Sequence, residues 1–268
     1  REMFVDYKAG RKTRGSLSRV FEFSSPEAEK ENLKKQLLIL KEYFSYLPIY
    51  QQEVENLEAD DVIAYICNNM FKNDEKIIVS SDKDYWQLIN DKIKVYRPVK
   101  KEIIDANEVK KQIGIYPKNY ILYKTFIGDP SDGVPQIKKG LGGKTFLKLF
   151  NFLAEDNIYT LDSIYKFSEE NKSNDKYNFF LLDENKKNIE RNFSLMQLKD
   201  YNMNVVAVDK IRNTFINEKP TLAISMMATS FLRDNLHSQM KRYDDWFKLF
   251  YRLNHNFHQL NNNSDIEW

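Results

Sequence analysis

Cysteine is almost missing from this chain: Cys67 is the single one among 268 residues. A disulfide framework is therefore excluded, and a reducing compartment such as the cytoplasm is the expected location. No apolar run is long enough to cross a bilayer, and the first residues do not read as a secretory leader, so no membrane partner is expected. Histidine is scarce as well, and His237, His255 and His258 show no metal-ligand spacing tied to a second cluster. Net charge is only +2, too small to draw the whole protein toward nucleic acid. No internal repeat is present.

What remains is a folded chain with 42% hydrophobic and 14% aromatic residues, long enough for one large domain or two. Its most informative feature is acidic. Glu58, Asp60 and Asp61 open one apolar stretch, Asp82 and Asp84 follow another, and Asp129 and Asp132 border a glycine-rich segment. Any one of these acids is explained equally well by a helix N-terminus or a loop. The joint pattern is different, because seven acids converging would repel one another unless cations held them, and an all-oxygen set favours Mg²⁺ or Mn²⁺.

The pattern of apolar residues organises the chain. Ser24-Ser25-Pro26-Glu27 reads as a helix start, and Leu33, Leu37, Leu40, Phe44 and Leu47 recur at helical spacing, which predicts one buried face. Ile49–Gln52 is a candidate strand. A helix over 58–71 follows, then strands at 76–80 and 93–97 and a small ribbon over 99–104. Asp105 with Glu108 caps a helix closed by Gly114, and Tyr116-Pro117 opens another that reaches Ile127. A helix over about 144–153 comes next, and 160–253 reads as mostly helical. The expected division is an α/β part over 1–105, a helical part over 106–253 and a mobile tail over 254–268.

Two further segments carry charge or glycine. Residues 1–20 hold Arg1, Lys8, Arg11, Lys12, Arg14 and Arg19 against Glu2 and Asp6. Lys8 and Arg11 share a face on a helix, and the adjacent Tyr7 has a ring that can stack on a base, but on composition alone a solvated charged helix is the favoured reading. Gly140-Leu141-Gly142-Gly143-Lys144-Thr145 ends like a nucleotide-binding loop, but the glycine required five positions before Gly143 is replaced by Lys138. The remaining readings are a glycine turn that brings backbone N–H groups to a phosphate, with Lys138, Lys139, Lys144 and Lys148 nearby, or a plain helix start.

Read in order, Tyr7-Lys8-Ala9-Gly10-Arg11-Lys12, Glu58-Ala59-Asp60-Asp61, Ser81-Asp82-Lys83-Asp84 with Gln87-Leu88, and Gly128-Asp129-Pro130-Ser131-Asp132-Gly133 followed by 140–145 resemble the flap endonuclease and 5′-3′ exonuclease family. That resemblance covers about 1–153. It implies a PIN-like α/β core with a mostly parallel sheet flanked by helices, a helix–three-turn–helix and a helical C-terminal part. The family's first strand and its aspartate have no counterpart, because the sequence starts inside the arch motif. The resemblance further implies two Mg²⁺ or Mn²⁺ ions, Glu58, Asp60 and Asp61 serving the first, Asp84, Asp129 and Asp132 the second, and Asp82 near both. Lys8 and Arg11 would stabilise charge at the scissile phosphate. Tyr7, Lys12, Lys138, Lys139, Gly140, Gly142, Gly143, Lys144 and Thr145 would contact DNA, with a K⁺ ion at the turn. The implied activity is two-metal hydrolysis of 5′ flaps or RNA primers on duplex DNA, by a monomer working beside replication proteins in a bacterial or phage-infected cell. A non-catalytic module for branched DNA is the alternative.

Overall fold

The computed structural model describes residues 24–198, 203–236 and 242–263. Its helices are α1 (Pro26–Ser45), α2 (Ala59–Asn69), α3 (Ala106–Ile113), α4 (Tyr120–Ile127), α5 (Gly143–Leu149), α6 (Leu161–Glu170), α7 (Asp175–Leu181), α8 (Asp183–Met196), α9 (Val205–Asn217), α10 (Ile224–Arg233) and α11 (Tyr243–Asn263). The strands are β1 (Lys76–Val79), β2 (Ile93–Arg97) and β3 (Glu102–Ile104). Among the described residues the chain forms two compact units, one over 58–198 and one from 24–57 with 203–236 and 242–263.

The first unit is built on a three-stranded sheet in the order β1-β2-β3, with β1 parallel and β3 antiparallel to β2. Register sets the core face. Ile78 pairs with Val95 and Val95 with Ile104, so the three form one row across the sheet, and all three are buried. Side chains alternate along a strand, so Ile77, Val79 and Ile103 fall on the opposite face, where each is more than half exposed. One parallel and one antiparallel pairing make a smaller, more mixed sheet than the mostly parallel one expected. The reason is local: the chain turns straight back from β2 into β3 through Lys101, at φ 54°.

The buried row continues into an aromatic core. Phe126 stacks on Phe146 at 4.9 Å between ring centroids, and Phe150 meets Phe180 at 5.3 Å. Ala64, Val95, Phe146, Phe180 and Ile189 belong to one cluster. The division expected near residue 105 therefore does not separate two bodies. The change from strands to helices there leaves the apolar faces of α4, α5, α7 and α8 packed in the same core as the sheet. Asp105 caps α3 by accepting from the Glu108 N–H at 2.9 Å, and Gly114 ends it at φ 96°. α5 stops at Leu149 and passes into a 3₁₀ turn over Asn151–Ala154.

In the second unit Ser25 caps α1, its hydroxyl accepting from the Ala28 N–H at 3.2 Å, with Pro26 in the first turn. The expected buried face of α1 is corrected. Leu33, Leu37, Leu40 and Phe44 are exposed, whereas Tyr43 and Leu47 join Met227, Phe231 and Phe247 in a core. Within this unit α10 and α11 meet only the end of α1, so the stripe upstream has no cover among the described residues. Arg233 grips Glu42 with two hydrogen bonds of 2.9 and 3.0 Å, fastening α10 to α1. Ile49–Gln52 forms no strand, since no strand among the described residues offers it a ladder. The tail expected from 254 is helical through Asn263 as the end of α11. No helix among the described residues is long and apolar enough to cross a membrane.

Candidate metal centre

The three acidic segments sit at the ends of three elements of the first unit. Glu58 is the N-cap of α2; its N–H donates to Asp61 Oδ2 at 3.3 Å, and the Asp61 N–H donates to Asp60 Oδ1 at 2.9 Å. These acids complement the positive end of the helix. Beyond β1, the Asp82 N–H donates to Ser80 Oγ at 3.0 Å and the Asp84 N–H donates to Asp82 Oδ1 at 2.9 Å. Successive turns of this kind bend the chain into a 3₁₀ helix over Asp84–Leu88, which buries Tyr85, Trp86, Gln87 and Leu88. Asp84 is thereby pulled inward while Asp82 stays exposed.

The third segment is a braced loop. Gly128 has φ 71° and ψ −176°, a conformation essentially restricted to glycine. A Cβ there would lie 2.6 Å from the Val134 carbonyl oxygen. Asp129 and Val134 exchange backbone hydrogen bonds of 2.8 and 2.9 Å, and Asp129 Oδ1 accepts from the Ser131 N–H at 3.0 Å. The loop thus presents Asp129 and Asp132 on one side.

Folding brings Asp84, Asp129 and Asp132 together: one carboxylate oxygen from each lies within 4.8 Å of the others. Between them stands a residue that sequence reasoning missed. Lys124, on the buried side of α4, places its ammonium 2.7 Å from Asp84 Oδ1 and 2.6 Å from Asp129 Oδ2. Its only signal in the sequence is a lone cation inside the apolar run 120–127. Burial alone would lower the Lys124 pKa, but the two carboxylates outweigh it and the net shift is upward. Burial pushes the Asp84 carboxyl up against the pull of Lys124, and for Asp129 the hydrogen bonds from Lys124 and Ser131 overcome burial and hold it down.

Glu58, Asp60, Asp61 and Asp82 are not part of this tight trio. Asp60 and Asp82 share its neighbourhood through Tyr85, whose hydroxyl is pushed up by burial and then by Asp60, Asp82 and Asp84. Tyr120 is raised by burial and by Asp84, Asp82 and Asp129 among others, so two buried phenols lie near the acids. Three carboxylates against one ammonium leave a formal excess of negative charge. An all-oxygen set with that excess fits a hard divalent cation.

The glycine turn lies between α4 and α5. Leu141 is buried and anchors it, while Lys139, Gly140, Gly142, Lys144 and Thr145 are exposed. Gly143 packs against Tyr123 so closely that a Cβ would collide with the phenol. Lys138 is half-buried, its ammonium 4.4 Å from the centroid of the Phe179 ring. Tyr7, Lys8, Arg11 and Lys12 lie outside the described residues.

Residues 1–114 match the profile of the N-terminal, resolvase-like domain of 5′-3′ exonucleases. By sequence, this segment, less than half of the chain, is similar to that domain of the 5′-3′ exonucleases. The chain is 33% identical over 120 residues to thermostable DNA polymerase I of Thermus thermophilus, covering 44% of this chain and 14% of that protein. It is 35% identical over 118 residues to the 5′-3′ exonuclease of Aquifex aeolicus, covering 44% of this chain and 40% of the relative. A flap endonuclease Xni of Pseudoalteromonas translucida is 33% identical over 120 residues, again 44% of this chain and 46% of the relative. The chain thus spans less than half of each of these curated relatives. In fold it is similar to the bacteriophage T5 flap endonuclease in complex with DNA and metal ions, with a TM-score of 0.54, 19% identity, and coverage of 86% of this chain and 77% of that one. The T5 protein co-crystallised with metal ions gives a TM-score of 0.51 at 19% identity, covering 78% of this chain and 73% of that one. The fold is that of a helix-rich α/β protein with a small sheet.

Proposed function

We propose that this chain is the metal-bearing part of a structure-specific 5′ nuclease that hydrolyses phosphodiesters of 5′ flaps or RNA primers on duplex DNA during replication in a bacterial cytoplasm. One observation carries the reading: Asp84, Asp129 and Asp132 come from segments distant in sequence yet put oxygens within 4.8 Å of one another around a buried cation. They would hold one divalent ion, and Glu58, Asp60 and Asp61, with Asp82 beside both groups, would hold a second. Such ions, when bound, supply an activated water and neutralise charge at the phosphate.

The chain's own residues do the rest. Lys124 screens the acids from one another. Lys8 and Arg11 are assigned to the scissile phosphate, with Tyr7 and Lys12 beside them on the single strand. The exposed turn around Lys139, Gly140, Gly142, Gly143, Lys144 and Thr145, with Lys138 at its edge, is assigned to the duplex backbone, where a K⁺ ion fits the same role.

The test is incubation of the chain with a labelled 5′-flap duplex and Mg²⁺ or Mn²⁺. Metal-dependent product that disappears in Asp129→Asn supports the reading. Junction binding without product would instead mark a non-catalytic module for branched DNA, and unchanged cleavage in Asp129→Asn would overturn the assignment of the site.

A further inference from the structure

We propose that α8 is a splint that sets the spacing of the acidic trio, with Gln87 and Asn192 as its two positioning residues. The inference rests on the metal reading above and concerns a helix well outside the exonuclease-like segment. Asn192 is fully buried. Its amide nitrogen donates to the carbonyl oxygen of Thr125 at 3.1 Å and to that of Pro135 at 2.8 Å. Thr125 follows Lys124, and Pro135 follows Val134, the residue bridged to Asp129. One side chain therefore ties both ends of the segment that carries Lys124, Asp129 and Asp132.

The Thr125 carbonyl needs this partner. The last carbonyls of a helix have no intrahelical donor. In α4 the Lys124 carbonyl accepts from the Gly128 N–H at 2.9 Å and the Phe126 carbonyl from the Ile137 N–H at 3.1 Å. The Thr125 carbonyl accepts from Asn192. The guanidinium of Arg191 donates to Asn192 Oδ1 at 3.0 Å, which fixes the amide with its nitrogen toward the loop.

The second tie lies four residues on, along the same face of α8. Gln87, only 1% exposed, donates from Nε2 to the Met196 carbonyl at 3.1 Å and accepts at Oε1 from the Leu198 N–H at 2.9 Å. Gln87 lies on the 3₁₀ helix that Asp84 opens. Leu195 and Met196 also pack with Ile121 and Val134, so apolar contact runs alongside both polar ties. Asp84 is thus held to one end of a rigid helix and the Asp129–Asp132 loop to a point one turn earlier. Residues that orient metal ligands from behind typically change metal affinity about 10–100-fold when removed.

The experiment is Mn²⁺ titration of the full chain by calorimetry without DNA, alongside thermal unfolding. Asn192→Leu and Gln87→Met are each expected to weaken Mn²⁺ binding about tenfold or more, and Arg191→Ala, which removes the contact that orients the Asn192 amide, by a smaller factor. Ile189→Ala is the control: it is buried on the same helix and makes neither tie. It should lower the unfolding temperature at least as much while leaving Mn²⁺ affinity within about twofold of wild type. Equal loss of affinity in Ile189→Ala would overturn the splint, since general loosening would then suffice. Wild-type affinity in Asn192→Leu and Arg191→Ala would overturn it as well. A wild-type chain that binds no Mn²⁺ would instead sink the metal reading on which the splint rests.

Discussion

Lys124→Met removes the one cation inside the acidic trio among the described residues and keeps most of the side-chain volume. Asp84 and Asp129 are then left facing each other, both less than one quarter exposed, with Asp132 beside them. Two like charges 4.8 Å apart repel by about 3.5 kcal/mol at an effective dielectric constant of about 20. Taking up a proton at neutral pH instead costs about 1.4 kcal/mol per unit over roughly three units, or about 4 kcal/mol. Both routes agree with the general cost of about 3–5 kcal/mol for orphaning a buried charge, which for a chain of this size lowers the unfolding temperature by about 6–20 °C.

The pH dependence carries a sign. Because the Lys124 pKa is raised, its stabilisation is complete below the unfolded-state value and fades as pH climbs through the folded one. The lowered Asp129 contributes stability above the ordinary carboxylate range that is lost as pH falls through its folded value, while Asp84, raised by burial, works in the opposite direction and blunts that loss. In Lys124→Met a proton relieves the repulsion, so the deficit relative to wild type shrinks from pH 7 to pH 5. It also shrinks when Mg²⁺ is added at pH 7. Thermal unfolding in chelator and in Mg²⁺ at both pH values measures this. A deficit below about 1 kcal/mol, the ordinary range of an exposed pair, or one indifferent to both pH and Mg²⁺, would refute the reasoning.

Three other perturbations follow from the same geometry. Gly128→Ala forces a Cβ to within 2.6 Å of the Val134 carbonyl at a backbone conformation costing about 1–3 kcal/mol, so both Mn²⁺ affinity and unfolding temperature should fall; calorimetry showing wild-type values would contradict the loop geometry. Lys144→Ala should reduce the slope of log affinity against log salt for duplex DNA by about one while leaving single-turnover cleavage at saturating DNA unchanged. In the second unit, Tyr43→Phe loses the hydroxyl's bonds to Asp234 and to the Ser230 carbonyl, and urea unfolding should register a loss of about 1–2 kcal/mol.

Local rules made much of this protein readable from sequence. Asp105 and Gly114 bound α3 because a cap and a left-handed glycine act within one turn, and β1 was legible because a short apolar run bounded by polar residues suits a buried strand. The three acidic segments stood out for the same reason, each lying at the end of an apolar run. What remained hidden depends on partners distant in sequence. The stripe on α1 has helical periodicity, yet only its end meets α10 and α11, since periodicity shows that a face is apolar and not what covers it. Lys124 looked like an interruption in a buried helix until Asp84, forty positions earlier, arrived beside it.

The amides are the sharper case. Asn192 in a charged stretch of helix and Gln87 behind a turn carry no chemistry of their own. Their meaning comes from four backbone groups, at Thr125, Pro135, Met196 and Leu198, which lack partners inside their own elements. A carboxylate trio can be recognised by residue type because charged oxygens are favoured ligands of hard divalent cations. The frame that keeps such a trio from springing apart is built of neutral donors and carbonyls that every helix possesses, and the fold alone decides which of them matter. The precision of this centre therefore resides in α8, a helix whose sequence advertises nothing, and an equivalent trio on a scaffold lacking that brace would keep its ligands and lose its affinity.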